Sequence, residues 1–147
     1  MFNCFRKDLL GNHYLIRGDH SSGSIKLFSR SVFCFKGKVG LVCCNEKFFD
    51  VFYDGRKWSF KDGEEVVAYT KRERFGLRVD LIYDKECYVF ECEKISSNTE
   101  KLTSKKKSIT FVRGGALGGV VKIDCEEDCF EVALISLWLK KLWERQA

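Results

Sequence analysis

Val132-Ala133-Leu134-Ile135-Ser136-Leu137-Trp138-Leu139 decides how the rest of this 147-residue chain is read. Leu and Ala favour helix, and neither Gly nor Pro interrupts the run. At about 100° per residue these positions cover the whole circumference of a helix, with Ser136 alone polar. A helix lying on a surface keeps a charged stripe toward water, and this one has none, so it must be surrounded on all sides. Asp128 and Glu131 have the spacing of a capping box at its start. Lys140, Lys141, Glu144 and Arg145 mark where it emerges, and cations suit the negative end of its dipole. The helix is expected over about residues 129–145.

What surrounds it is read from the chain before residue 125, which consists of short strands and turns. Alternation begins at Tyr14 and Ile16 and continues at Ile25 and Leu27, with a polar stretch from Gly18 to Gly23 between them. Val32–Cys44 follows, with Gly37 and Gly40 marking a turn or a bulge. Phe48–Tyr53 meets Asp54-Gly55, Lys57–Phe60 meets Asp62-Gly63, and Val66–Tyr69 completes a meander. Asp-Gly at this spacing is a hairpin signal, because turns of this kind need residues at positive φ. Leu77, Val79, Leu81 and Tyr83 then share one face opposite Arg78 and Asp80. After a turn at Asp84-Lys85, Tyr88, Phe90 and Cys92 alternate with Glu91 and Glu93. Lys94–Lys107 reads as a long, charged hairpin loop, Ile109 and Phe111 resume the strand pattern, and Gly114–Gly119 is a turn before Val121 and Ile123.

Many antiparallel strands and one all-round apolar helix have a natural solution in a mainly β fold. It is an antiparallel barrel of short meandering strands, with the hydrophobic C-terminal helix threaded through it or packed on it. The competing arrangement is a sandwich with the helix across one face. Residues 1–147 are expected to form a single domain, since 17.1 kDa suits one core. A hydrophobic fraction of 45% argues against disorder, and the absence of proline excludes a proline-rich linker or stalk.

The net charge of +5 keeps a small domain soluble and attracts phosphate-bearing partners, but falls short of what a dedicated nucleic-acid binder carries. Met1–Asp8 has no apolar segment behind a basic start, so the expected compartment is the reducing cytoplasm, with the cysteines free. Cys34, Cys87 and Cys92 fall in strand-like alternation, where Cys acts as a small hydrophobe. No apolar run is long enough to span a bilayer, so any membrane association is peripheral.

This pattern resembles the tubby-like superfamily, which includes phospholipid scramblases and LURP-one-related proteins. The resemblance rests on Tyr53-Asp54-Gly55 through Asp62-Gly63-Glu64-Glu65-Val66-Val67-Ala68. It rests equally on Gly118-Gly119-Val120-Val121-Lys122-Ile123-Asp124 and Phe130-Glu131-Val132-Ala133-Leu134-Ile135-Ser136-Leu137-Trp138. It implies a barrel threaded by its last helix, and either binding of phosphoinositide or other phospholipid or a scaffold whose role is often unassigned.

Candidate sites follow from charge. Lys71, Arg72 and Arg74 form one basic cluster, and Lys105, Lys106 and Lys107 the other. Cations grouped at loop ends grip phosphate, in lipid headgroups or a nucleic-acid backbone, against the plain reading of a solvated turn and hairpin tip. Arg56-Lys57 beside Trp58 offers a stacking platform for a base, against a Trp58 and Phe60 that point into the core. Gly114–Gly119 leads into a strand and is a turn, not a phosphate loop.

Cys125 and Cys129 have C-x3-C spacing, but His13 and His20 do not supply a second close pair, and no metal or cofactor is expected. Cys125 near a helix start could carry a lowered pKa, although Glu126, Glu127 and Asp128 oppose a thiolate. The expectation is a non-enzymatic, intracellular module that binds phosphoinositide or another anionic headgroup through basic loops. The alternatives are a cysteine-dependent enzyme or redox sensor, and a nucleic-acid-binding barrel.

Overall fold

The computed structural model describes residues 1–8, 11–28, 36–72, 79–91, 99–114 and 119–146. The strands are β1 (Phe2–Arg6), β2 (His13–Arg17), β3 (Ser22–Leu27), β4 (Gly37–Cys44), β5 (Lys47–Tyr53) and β6 (Trp58–Asp62). They continue as β7 (Glu65–Arg72), β8 (Val79–Tyr83), β9 (Glu86–Glu91), β10 (Thr99–Thr103), β11 (Ser108–Gly114) and β12 (Gly119–Asp124). Each is antiparallel to the next, and β1 pairs with β12 to close a barrel. A 3₁₀ turn (Glu127–Cys129) leads into α1 (Phe130–Gln146).

The barrel encloses α1. Every residue from Val132 to Leu139 is at most 1% exposed, which no helix lying on a sheet achieves. Its contacts come from all round the sheet: Phe130 stacks on Phe2 of β1 at 4.4 Å, Trp138 meets the edge of Phe60 of β6 at 5.9 Å, and Trp143 packs on Phe90 of β9 at 5.0 Å. Ser136, the single polar residue of the run, donates its hydroxyl to the Ala133 carbonyl at 2.9 Å and so leaves no buried group unpaired. Close approach of helix to wall fixes two strand glycines. A Cβ at Gly40 would collide with the Trp138 indole, and one at Gly23 would meet Leu134 Cδ1 at 2.5 Å.

Because the strands run up and down in order, the barrel has two distinct ends. At the foot, α1 starts beside Phe2, and the turns are short. Asn45-Glu46, Gly63-Glu64 and Asp84-Lys85 are two-residue connections. Asp84 and Lys85 both have positive φ, at 48° and 63°, whereas of Gly63-Glu64 only the glycine does, at 62°. At the other end, the crown, α1 finishes and the connections are 7–12, 28–36, 54–57, 73–78, 92–98 and 115–118.

Four expectations are corrected. β1 precedes the first alternation read from the sequence, with Phe2 and Cys4 turned inward. The stretch 94–107 is not one long loop, because β10 occupies Thr99–Thr103 and only 104–107 turns into β11. Asp128 and Glu131 do not close a capping box: Asp128 Oδ2 lies 3.2 Å from Lys107 Nζ, while Glu131 takes the Tyr83 hydroxyl and lies 3.5 Å from Lys47 Nζ. Lys140 and Lys141 do not mark the emergence of the helix, since they are 8% and 4% exposed. Lys140 pairs with Glu100, which also lies 3.2 Å from Arg113 Nη1, and its ammonium stands over the rings of Phe90 and Phe111. Inward charges there are held by partners and aromatic faces, as burial requires.

Candidate anion-binding rim

The two basic clusters lie at opposite ends of the barrel and cannot form one site. Lys71 and Arg72 end β7 at the crown, both exposed, whereas Lys105, Lys106 and Lys107 make the β10–β11 turn at the foot. Arg74 lies outside the described residues.

At the crown the neighbours of Lys71 and Arg72 extend the positive charge. The 54–57 connection is held by Asp54, whose Oδ1 accepts the amides of Arg56 at 2.8 Å and Lys57 at 2.9 Å. Those two amides keep the Asp54 carboxyl below its ordinary pKa. Gly55, at φ 96°, lies against the preceding crown connection, and a Cβ on it would come 3.2 Å from Lys36 Cε. Lys57 Nζ stands over the exposed Tyr69 ring at 5.1 Å, and Tyr69 shares the outer face of β7 with Lys71. The Trp58 amide donates to Thr70 Oγ1 at 3.0 Å, which ties the turn to β7. Lys36, Arg56, Lys57, Lys71 and Arg72 are thus all exposed at the crown, with the exposed Tyr69 ring under Lys57 and the exposed Asp54 in the same turn as Arg56. Lys71 faces Asp80 in the β7–β8 register, the acidic group closest to the rim along that ladder. Phe28, 52% exposed at the end of β3, carries the apolar surface further round the crown.

At the foot the lysines are differently placed. Ser104 Oγ accepts the amides of Lys106 and Lys107 at 3.3 and 3.1 Å, so the turn is built by its serine. The Lys107–Asp128 pair raises the pKa of the lysine and lowers that of the carboxylate. Lys105 and Lys106 remain exposed beside a cleft of about 660 Å³, also lined by Lys85, Cys87 and Thr103. Around them the foot is acidic, with Asp19, Glu46, Glu64, Asp84, Glu126 and Glu127 exposed. Exposed Arg17, Lys47 and Lys85 lie at the same end, and exposed Asp54 lies at the crown.

Trp58 and Phe60 point into the core, 8% and 0% exposed, so Trp58 is no platform for a base. Gly114 and Gly119 pair at the end of the β11–β12 ladder, and residues 115–118 of the expected turn lie outside the described residues. None of the described cysteines is in a disulfide: Cys4, Cys44 and Cys129 are buried, Cys43 and Cys125 half-buried, and Cys87 is exposed on the outer face of β9 rather than packed as a small hydrophobe. Cys34 and Cys92 lie outside the described residues. Cys125 does not have a lowered pKa: burial, reinforced by Cys129, pushes it up to about 12, and burial raises Cys129 to about 11. A thiol so placed is a poor nucleophile at neutral pH. Among the described residues no group of three or more His, Cys, Asp or Glu side chains is arranged to hold a metal ion, and no helix is long and apolar enough to cross a membrane.

Sequence reasoning missed Lys36 as part of the rim, because its place beside the 54–57 connection is set by the β4–β5 pairing of Gly37 with Tyr53. It also missed the inward pairing of Lys140 and Lys141. The signal was present in Leu142-Trp143, apolar residues that resume after the lysines. No family model, curated protein or solved structure matches the chain.

Proposed function

We propose that this protein is a non-enzymatic binding module that grips a phosphate-bearing anionic surface, with phosphoinositide headgroups as the favoured ligand, through the crown rim. The observation that carries the reading is that Lys36, Arg56 and Lys57 in two crown connections, and Lys71 and Arg72 at the end of β7, are all exposed at one end of the barrel, where Tyr69 and Phe28 are exposed as well. Clustered cations supply charge-assisted contacts to phosphate, and exposed aromatics suit the headgroup level of a bilayer. A closed barrel around a hydrophobic helix is also the architecture implied by the resemblance to the tubby-like superfamily, and a lipid-binding role in the cytoplasm is part of the same proposal. Lys105 and Lys106 have no part in the grip, because they face the other way.

Vesicle sedimentation tests it. The protein is expected to pellet with vesicles containing phosphoinositide and to stay in the supernatant with purely zwitterionic vesicles. Equal pelleting with both, or none with either, overturns the reading.

A further inference from the structure

The outer wall of the barrel carries a pattern of its own. Side chains of β4–β7 that turn away from the core are set in rows by the strand register. One row runs through Lys38 of β4, Phe52 of β5, Ser59 of β6 and Tyr69 of β7, each directly opposite the next. Phe28, at the end of β3, extends it, since its amide donates to the Val39 carbonyl at 3.0 Å.

The aromatic members of this row fall on alternate strands, and each ring has a lysine ammonium over it. Lys38 Nζ lies 5.8 Å from the Phe28 centroid, Lys61 Nζ 5.0 Å from that of Phe52, and Lys57 Nζ 5.1 Å from that of Tyr69. Phe28 and Tyr69 are exposed, and Phe52 is half-buried. Two carboxylates stand nearby. Asp54 is held by the amides of its own turn. Asp50 lies 2.8 Å from Lys38 Nζ, with both side chains more than a third exposed, and a surface pair of this kind gives way to another anion at little cost.

A ring with an ammonium beside it matches the two groups that one nucleotide presents, a base with a π face and a phosphate with a charge. Each lysine sits on a flexible stem and can pass from the ring to a phosphate as a base arrives. The unit recurs every second strand, so neighbouring rings stand about 10 Å apart. Duplex bases are stacked about 3.4 Å apart and paired inward, whereas an open strand can splay its bases onto separate rings. A bilayer does not fit this row, because the row follows β3–β7 round the curve of a closed barrel and a flat surface cannot. We propose that the outer wall over β3–β7 binds single-stranded nucleic acid, with bases stacked on Phe28, Phe52 and Tyr69 and phosphates held by Lys38, Lys57 and Lys61. Phe52, Lys38 and Lys61 have no part in the crown reading, and the inference does not rest on it.

The test is fluorescence anisotropy with a labelled oligo(dT) of about twelve nucleotides and the full chain, in about 50 mM salt. Saturable binding is expected, falling with salt at a log–log slope of about −2, as three phosphate contacts at about 0.7 each require. Phe52→Leu and Tyr69→Leu keep apolar bulk and remove the π face. Each should weaken binding at least about fivefold without changing that slope. Lys61→Gln should reduce the slope by about 0.7 in magnitude. Circular dichroism checks the fold of each variant, and the two aromatic positions lie on different strands, so a folding loss in one leaves the other as the test. Phe52→Leu should leave sedimentation with phosphoinositide vesicles unchanged, which lets this inference and the crown reading fail separately. Wild-type oligonucleotide binding by the folded aromatic variants overturns the proposal, because charge alone would then account for the attraction. So does equal affinity for a duplex of the same length, and so does an absence of oligonucleotide binding.

Discussion

Trp138 donates its indole N–H to the Lys26 carbonyl at 2.8 Å, joining the helix to the inner face of β3 across 112 residues of chain. The same indole lies against Gly40 on β4, where a side chain would displace it. A tryptophan that is fully buried and still hydrogen-bonded locks both the depth and the rotation of α1 inside the barrel.

Truncation at this point is therefore expected to be severe. Trp138→Ala should cost about 3–5 kcal/mol, through the cavity it leaves and the Lys26 carbonyl it strands. Gly40→Val should be comparably damaging from the opposite side, by overpacking of about 1–3 kcal/mol or more. Urea titration followed by tryptophan fluorescence and circular dichroism reads both. Wild-type midpoints would show that the helix is not held by this contact.

The inward ion pair gives a second expectation. Glu100→Gln leaves the buried Lys140 ammonium without its carboxylate and should destabilise by about 3 kcal/mol. Adding Lys140→Met should recover much of that loss, since the remaining pocket is then lined by Phe90 and Phe111. A double-mutant cycle measures the coupling, and additive losses would show that the two residues do not interact.

Alkaline pH should weaken the fold. Burial raises Cys4, Cys44 and Cys129 from an ordinary 9.0 to about 11, and Cys125 to about 12. An acid whose folded pKa is raised favours the folded state fully below its unfolded pKa. That contribution disappears as pH climbs from about 9 toward 11 and 12, because the unfolded chain ionises first. Chemical denaturation between pH 8 and pH 11 should show the midpoint falling, with a shallower fall in Cys125→Ala. A flat profile would mean that these thiols are not buried.

Much of the architecture was legible because its signals are local. Asp54-Gly55, Asp62-Gly63 and Asp84-Lys85 sit at real turns, and the unbroken apolar circumference of 132–139 required enclosure. β10 was illegible for a physical reason. Of its residues only Leu102 is a buried apolar group, while Glu100 occupies an inward position because Lys140 awaits it on the helix. An alternation rule that expects apolar residues inside cannot see a strand whose inward partner is a charge. That omission also hid the placement of the basic clusters. Each strand reverses direction, so overlooking one inverts the end assigned to every later turn, and Lys105–Lys107 cannot then be assigned to the foot.

The central claim is that phosphate-bearing surfaces are met by one end of the barrel, and a matched pair of charge reversals tests it most directly. Lys71→Glu with Arg72→Glu at the crown, and Lys105→Glu with Lys106→Glu at the foot, change net charge equally. Binding to phosphoinositide vesicles in moderate salt should fall at least about tenfold for the crown pair and change by less than about twofold for the foot pair. Equal losses from the two ends would contradict the account, because attraction would then follow total charge and not the rim.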